Sequence, residues 1–238
     1  MSVLPVSAII PTLNAAANLP TTLAALRGQV AKIIIADGGS SDGTVELAQG
    51  AGASVISAPR GRGPQLRTAA EAATQPWLLA LHADTRPGQG WQNAVAGFIS
   101  QPENMTKAAH FRFALDDPAP EARRLEAMVA WRCHWLGLPY GDQGLLIARD
   151  FYQALGGYEP VPLMEDVALI RRIGRKRLVA LPVDFITSAE KWQRDGWYAR
   201  SARNLFCLSL WFAGVSPERI ARVCKGIDRY WNIGIQSF

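Results

Sequence analysis

Carboxylates at Asp37, at Asp84 and in the pair Glu165-Asp166 are the residues whose types and order could do chemistry. Asp37 follows Ile33-Ile34-Ile35-Ala36 and opens the polar run D-G-G-S-S-D-G-T. A β-branched run ending in an acid reads as a buried strand that delivers a carboxylate to the carboxyl edge of a sheet, where open α/β sheets bind ligands. Asp84 lies in L-H-A-D-T, just past the apolar stretch Trp77–Leu81, so parallel strands would set it beside Asp37. Between them, A-P-R-G-R-G-P-Q-L-R supplies Arg60, Arg62 and Arg67. Carboxylates that hold a divalent cation and guanidinium groups that hold phosphate oxygens are what a nucleotide-diphosphate site requires. Each acid alone fits a turn or a helix N-terminus. Their ordered series is what points to a site.

Other chemistries lack their motifs. No G-x-G-x-x-G follows the first strand, and there is no G-x-x-x-x-G-K-[ST] and no G-x-S-x-G. His82, His110 and His134 lack H-E-x-x-H spacing, and the latter two read as structural. Cys133, Cys207 and Cys224 are far apart and odd in number, which argues against a disulfide framework. The 238 residues are 49% hydrophobic and 19% charged, enough for a sizeable core. A formal net charge of +5 suits a phosphate-bearing ligand or an anionic membrane surface, and without a long Lys/Arg tract it gives no case for nucleic acid. No signal-peptide pattern is seen, and the apolar window Leu205–Val215 is about half the ~20 residues of a membrane span. The expectation is a cytoplasmic protein, soluble or peripheral at the inner face of the membrane.

These residues need elements to position them. Strands are expected at Val6–Ile10, Lys32–Ala36, Ala53–Ser57 and Trp77–Leu81, alternating with helices at Asn18–Arg27, Thr44–Gly50 and Gln65–Ala73. Asp42 or Ser41 can cap the helix at Thr44. This rhythm implies a mostly parallel α/β sheet flanked by helices. Further on, Ala108–Ala114 alternates like an exposed strand, Pro120–Leu136 reads as a long helix and Gly144–Ala148 as a short strand. Helices are expected at Arg149–Leu155 and Val167–Ile173, with closing strands at Leu178–Leu181 and Phe185–Thr187. Tyr198–Phe212 and Pro217–Lys225 form an amphipathic helical tail.

The motifs S-A-I-I-P-T-L-N, A-D-G-G-S-S-D-G-T, L-H-A-D-T, G-D-Q-G-L-L-I and M-E-D-V, in that order over roughly residues 5–175, resemble family-two glycosyltransferases of the GT-A fold. The likeness is greatest to a compact bacterial subgroup with H-A-D in place of D-x-D and T-S-A-x-x-W-Q-R-x-G near the C-terminus, here Thr187 to Gly196. It implies a GT-A domain over residues 1–195, with a Rossmann-like sheet, and a helical extension over 196–238 packed on that domain or on a partner. It implies transfer of a sugar from a nucleotide-diphosphate donor to an acceptor hydroxyl, with inversion. Donor-binding positions would be Pro11, Thr12, Asn14, Asp37, Gly39, Arg60, Arg62, Gln65 and Ala83, with Asp37 accepting from the nucleobase or shaping its pocket. Asp84, with His82 as a second ligand, would bind Mg²⁺ or Mn²⁺ on the diphosphate. Asp166 would be the general base, with Glu165 the second candidate. A sugar hydroxyl is a poor nucleophile at neutral pH, so a carboxylate within reach must take its proton.

The acceptor would enter above Gly141-Asp142-Gln143, with Trp192, Arg194 and Trp197 in a loop closing over it. A lipid-linked acceptor is among the candidates. Leu205, Leu208 and Phe212, among Arg200, Arg203 and Arg219, form a stripe suited to a membrane surface, to the domain itself or to a homodimer partner. Two other functions compete: a nucleotidyltransferase on a similar α/β core, and a non-catalytic nucleotide-sugar-binding protein.

Overall fold

The apolar runs of the first half become strands because helices cover both of their faces. A computed structural model describes residues 2–230, and its sheet runs in the order β3-β2-β1-β4-β7-β6-β8-β5. β1 (Leu4–Thr12), β2 (Val30–Asp37), β3 (Ser54–Ser57) and β4 (Trp77–Ala80) are parallel, joined through α1 (Leu19–Leu26), α2 (Thr44–Gly50) and α3 (Arg62–Glu71). Ile9, Ile10, Ile34, Ile35 and Leu79 are fully buried, as in a sheet covered on both sides. The register sets Thr12 opposite Asp37, and Asp37 opposite Ser57. The carboxyl ends of β1, β2 and β4 thus share one edge.

The second half is mixed. β7 (Leu145–Ala148) lies antiparallel between β4 and β6 (Ala108–Leu115), β8 (Leu178–Thr187) runs parallel to β6, and β5 (Thr85–Pro87) is antiparallel to β8. Between these strands come α4 (Trp91–Ile99), α5 (Pro120–Leu136), α6 (Arg149–Ala154) and α7 (Glu165–Ile173). The chain continues through α8 (Glu190–Asp195), α9 (Trp197–Phe212) and α10 (Pro217–Tyr230). Residues 231–238 of the expected extension lie outside the described residues.

Several expectations need correction. β6 is not an exposed strand: flanked by β7 and β8, it leaves only Arg112 exposed. The two closing strands are one strand, β8, with a register shift opposite Phe111 and Arg112. Pro182 has no N–H to continue the ladder there. Trp192 and Arg194 belong to α8, not to a loop. The tail stripe is divided: Leu208 and Arg203 are buried, Arg200 pairs with Asp195, and Leu205 and Phe212 face outward. Cys207 and Cys224 are disulfide-linked, leaving Cys133 as the free thiol among the described residues. The antiparallel turn from α9 to α10 brings them together, which sequence spacing alone does not reveal. Leu163, Met164 and Val167 pack against Leu208, Ile220 and that disulfide, so the tail covers the segment leading into α7. Among the described residues no helix is long and apolar enough to cross a membrane.

Candidate active site

At the end of β2, Asp37 is enclosed by donors. Its Oδ1 accepts from Thr12 Oγ1 at 2.9 Å and from the Ser40 hydroxyl, and its Oδ2 accepts the N–H groups of Gly39 at 2.9 Å and Ser40 at 2.8 Å. Burial works against the charge, but the hydrogen bonds from Ser40, Thr12 and Gly39 outweigh it and hold the carboxyl below its ordinary range. Asn14 interlocks with this loop. Its own N–H donates to Ser40 Oγ at 2.8 Å, and its Oδ1 accepts from Ser41 N–H at 2.9 Å. It does so with φ at 50°, a left-handed conformation that Asn tolerates. Gln65 on α3 bridges the strand ends, donating to Thr12 O at 2.6 Å and Ala36 O at 2.8 Å. Pro11 lies opposite Ala36 in the ladder, and Arg60 is exposed beside the loop.

A second group of side chains gathers around Arg62. Its Nε meets Glu165 Oε1 at 2.7 Å, and its Nη2 stands 3.9 Å from Asp166 Oδ2. Glu165 is almost wholly enclosed, its Oε2 lacks a partner, and burial pushes its pKa up more than Arg62 pulls it down. Asp166, with 12% of its side chain exposed, accepts from Gly141 N–H at 2.9 Å. Met164, just before the pair, has φ at 67° and is buried against the tail. Strained backbone of this kind persists only where packing enforces it. Two small cavities share Gly141, Leu145, Tyr158 and Asp166 as walls, and one reaches His82 and Glu165.

Asp84 is tied to α8. Pairing of Thr85 with Thr187 and a bond from Ser188 N–H to Asp84 O at 3.0 Å bring α8 alongside. Lys191 Nζ then meets Asp84 Oδ2 at 2.9 Å, while Asp84 Oδ1 is buried without a partner. Burial opposes the Asp84 charge, and the Lys191 ammonium prevails, lowering its pKa. His82 falls to about 4, first from burial and then from Arg62, so its imidazole is neutral near pH 7. The ring sits against Gly141, where an added Cβ would lie 2.7 Å from Nε2. Ala83 contributes its carbonyl to Thr22 Oγ1 at 2.9 Å.

The expected acceptor residues divide. Gly141 and Asp142 lie beside the acid pair, and burial, reinforced by the neighbouring Asp166 charge and opposed by Arg132, pushes Asp142 up to about 6. Gln143 turns inward, donating to Phe111 O at 3.1 Å and accepting from Tyr140 N–H at 3.2 Å. Trp192 is buried 6.0 Å from the Phe113 ring, and Arg194 meets Asp195 at 2.8 Å, so neither reaches the acid pair. Sequence reasoning missed Lys191, and also Tyr158, whose burial at the cavity wall raises its pKa well above normal.

A model for glycosyl transferase family 2 matches residues 7–145. The chain belongs to glycosyl transferase family 2. No curated protein matches it in sequence. Among solved structures, this glycosyltransferase is similar to glucosyl-3-phosphoglycerate synthase from Mycobacterium tuberculosis, solved with Mn²⁺, UDP and glucosyl-3-phosphoglycerate. The TM-score is 0.58 at 17% identity, over 89% of this chain and 80% of that one. A mannosyltransferase from Pyrobaculum calidifontis, solved with GDP-mannose and Mn²⁺, gives 0.62 at 21% identity, over 84% of this chain and 61% of that one. TarS from S. aureus with UDP-GlcNAc gives 0.59 at 12% identity, over 77% and 58%. These likenesses establish the GT-A architecture for the curled, mixed sheet.

Proposed function

We propose that this glycosyltransferase moves a sugar from a nucleotide-diphosphate donor to an acceptor hydroxyl with inversion, Asp166 taking the acceptor's proton. The observation that carries this reading is the contrast within the acid pair. Asp166 lines both cavities, whereas Glu165 is locked under Arg62 at 2.7 Å. A base must reach the proton it removes, so the accessible member of the pair is the better choice. Glu165 then keeps Arg62 in place, and Arg62 lends positive charge where the leaving group gains negative charge. Asp37 has its acceptor capacity taken up by the loop, so its role is to shape the nucleotide pocket, with Thr12 and Asn14 at its rim. The similar structures that hold UDP, GDP-mannose or UDP-GlcNAc support the donor class.

Among the described residues no three His, Cys, Asp or Glu side chains form a metal-binding group. The unpartnered Asp84 Oδ1 and the neutral His82 nevertheless fit a cation that takes its remaining ligands from water and diphosphate. Mg²⁺ or Mn²⁺ held there would offset the charge of the diphosphate.

The test is Asp166→Asn, assayed for release of nucleoside diphosphate and for donor affinity by calorimetry. Turnover is expected to fall on the order of 10²–10⁴-fold with donor affinity near wild type. Unchanged turnover would remove Asp166 from its role. Release of pyrophosphate by the wild type would point to nucleotidyl transfer instead.

A further inference from the structure

Two helices beside the acid pair hold large apolar side chains in solvent. On α5, Met128, Trp131 and Trp135 are 61%, 59% and 59% exposed, and with Arg124 they follow one helix face. On α9, Tyr198, Leu205 and Phe212 recur every seventh residue and are 70%, 65% and 50% exposed. The helices are bridged at both ends. Arg124 Nη1 donates to Tyr198 OH at 3.1 Å. At the other end Arg175 Nη2 donates to His134 O at 2.9 Å, and Arg171 lies over the rings of Trp211 and Phe212 at 5.4 and 5.5 Å. Tyr140 sits between them: Arg132 of α5 covers its ring at 3.4 Å, and the ring packs against the cluster holding Cys207 and Leu208 of α9. Gly141, the next residue, donates to Asp166. Single exposed apolar residues are ordinary, but paired stripes with two exposed tryptophans beside a site mark a docking surface.

Charge selects the occupant. Residues 171–177 read R-R-I-G-R-K-R, and Arg171, Arg175 and Lys176 are exposed. No acid occurs in α9 or in the part of α5 that carries Met128 to Trp135. We infer that this face docks on an anionic lipid bilayer, with Trp131, Trp135, Leu205 and Phe212 at the headgroup boundary and the basic cluster on lipid phosphates. Tryptophan favours that boundary because its ring is apolar and its N–H is polar. Apolar insertion and attraction to anionic lipid act together in interfacial binding. A second copy fits less well, since a two-fold interface sets the patch against itself and brings two basic clusters together. Resting on the proposed transfer, docking would present a membrane-borne hydroxyl to the Asp166 side.

The test is co-sedimentation of the full chain with phosphatidylcholine vesicles, with and without phosphatidylglycerol, followed also by tryptophan emission. Wild type is expected to bind only the anionic vesicles, with a blue shift. W131S/W135S should lose the shift and most of the binding. R171Q/K176Q should weaken binding roughly fivefold per charge removed. Both variants should still melt cooperatively, W131S/W135S near the wild-type temperature because its exchanged groups are exposed, and R171Q/K176Q slightly lower because Arg171 leaves the Trp211 and Phe212 rings. No binding by wild type, equal binding by W131S/W135S, or a wild-type dimer that W131S/W135S dissociates would each overturn the inference. Vesicle binding needs no donor, so it stands or falls separately from transferase activity.

Discussion

At Asp84 one carboxylate oxygen takes the Lys191 ammonium at 2.9 Å and the other is buried without a partner. Lysine and a divalent cation therefore compete for the same carboxylate. Lys191→Met should tighten binding of Mn²⁺ alone roughly fivefold, the equivalent of about 1 kcal/mol for one partly exposed pair. Electron paramagnetic resonance titration reads this directly. Lys191→Arg should leave it unchanged, and Asp84→Asn should abolish it. The acid was legible in the sequence, because its strand and its turn are local. The lysine was not, because it reaches Asp84 only through the pairing of β5 with β8. Asp142 gives a second test. Its pKa rises from 3.8 to about 6 through burial, so its neutral form favours the folded state. That contribution is complete below about pH 4 and is lost as pH rises through about 6. Asp142→Asn should therefore be more stable than wild type near pH 7, by up to about 3 kcal/mol, and match it near pH 4. Urea midpoints at the two pH values check the sign.

Elements with a clear period or a local signature read correctly from sequence. α2 and α5 begin and end at the expected residues, but the N-cap of α2 is Gly43 rather than Asp42 or Ser41, and the Asp42 carboxylate accepts from Thr44 N–H at 3.1 Å. α4 was missed although Trp91, Val95 and Phe98 fall on one face and are buried, because Gly97 interrupts the pattern. β5 and α8 are too short to carry a period, and tertiary pairing alone makes them. The disulfide between α9 and α10 belongs to this scale too. It closes a span of 17 residues, for which the loss of unfolded-chain entropy is worth about 3 kcal/mol. Reduction should lower the denaturant midpoint of wild type accordingly and leave Cys207→Ser unaffected. Because Met164 packs on the same cluster, the local opening should extend to the backbone before Glu165. Hydrogen exchange at residues 163–167, with and without reductant, measures that spread.

Across the whole molecule, the question is whether residues after Asp195 form a separate unit or part of one core. Leu163, Met164 and Val167 are covered by Leu208, Ile220 and the disulfide, and Asp195 itself is buried between Arg194 and Arg200. Removing α9 and α10 would expose three large apolar side chains, each costing about 1.5–3 kcal/mol. It would also take Arg200, one of its two arginine partners, from the buried Asp195 carboxylate. Against a total stability of about 5–15 kcal/mol, that loss decides the outcome. A chain ending at Asp195 should show no cooperative melt and no donor-dependent rise in melting temperature. The full chain should melt in one transition, with calorimetric and van't Hoff enthalpies equal. Two transitions in the full chain, or a cooperative melt in the shortened one, would mean that the helical tail is an appendage and that Met164 holds its left-handed backbone without it.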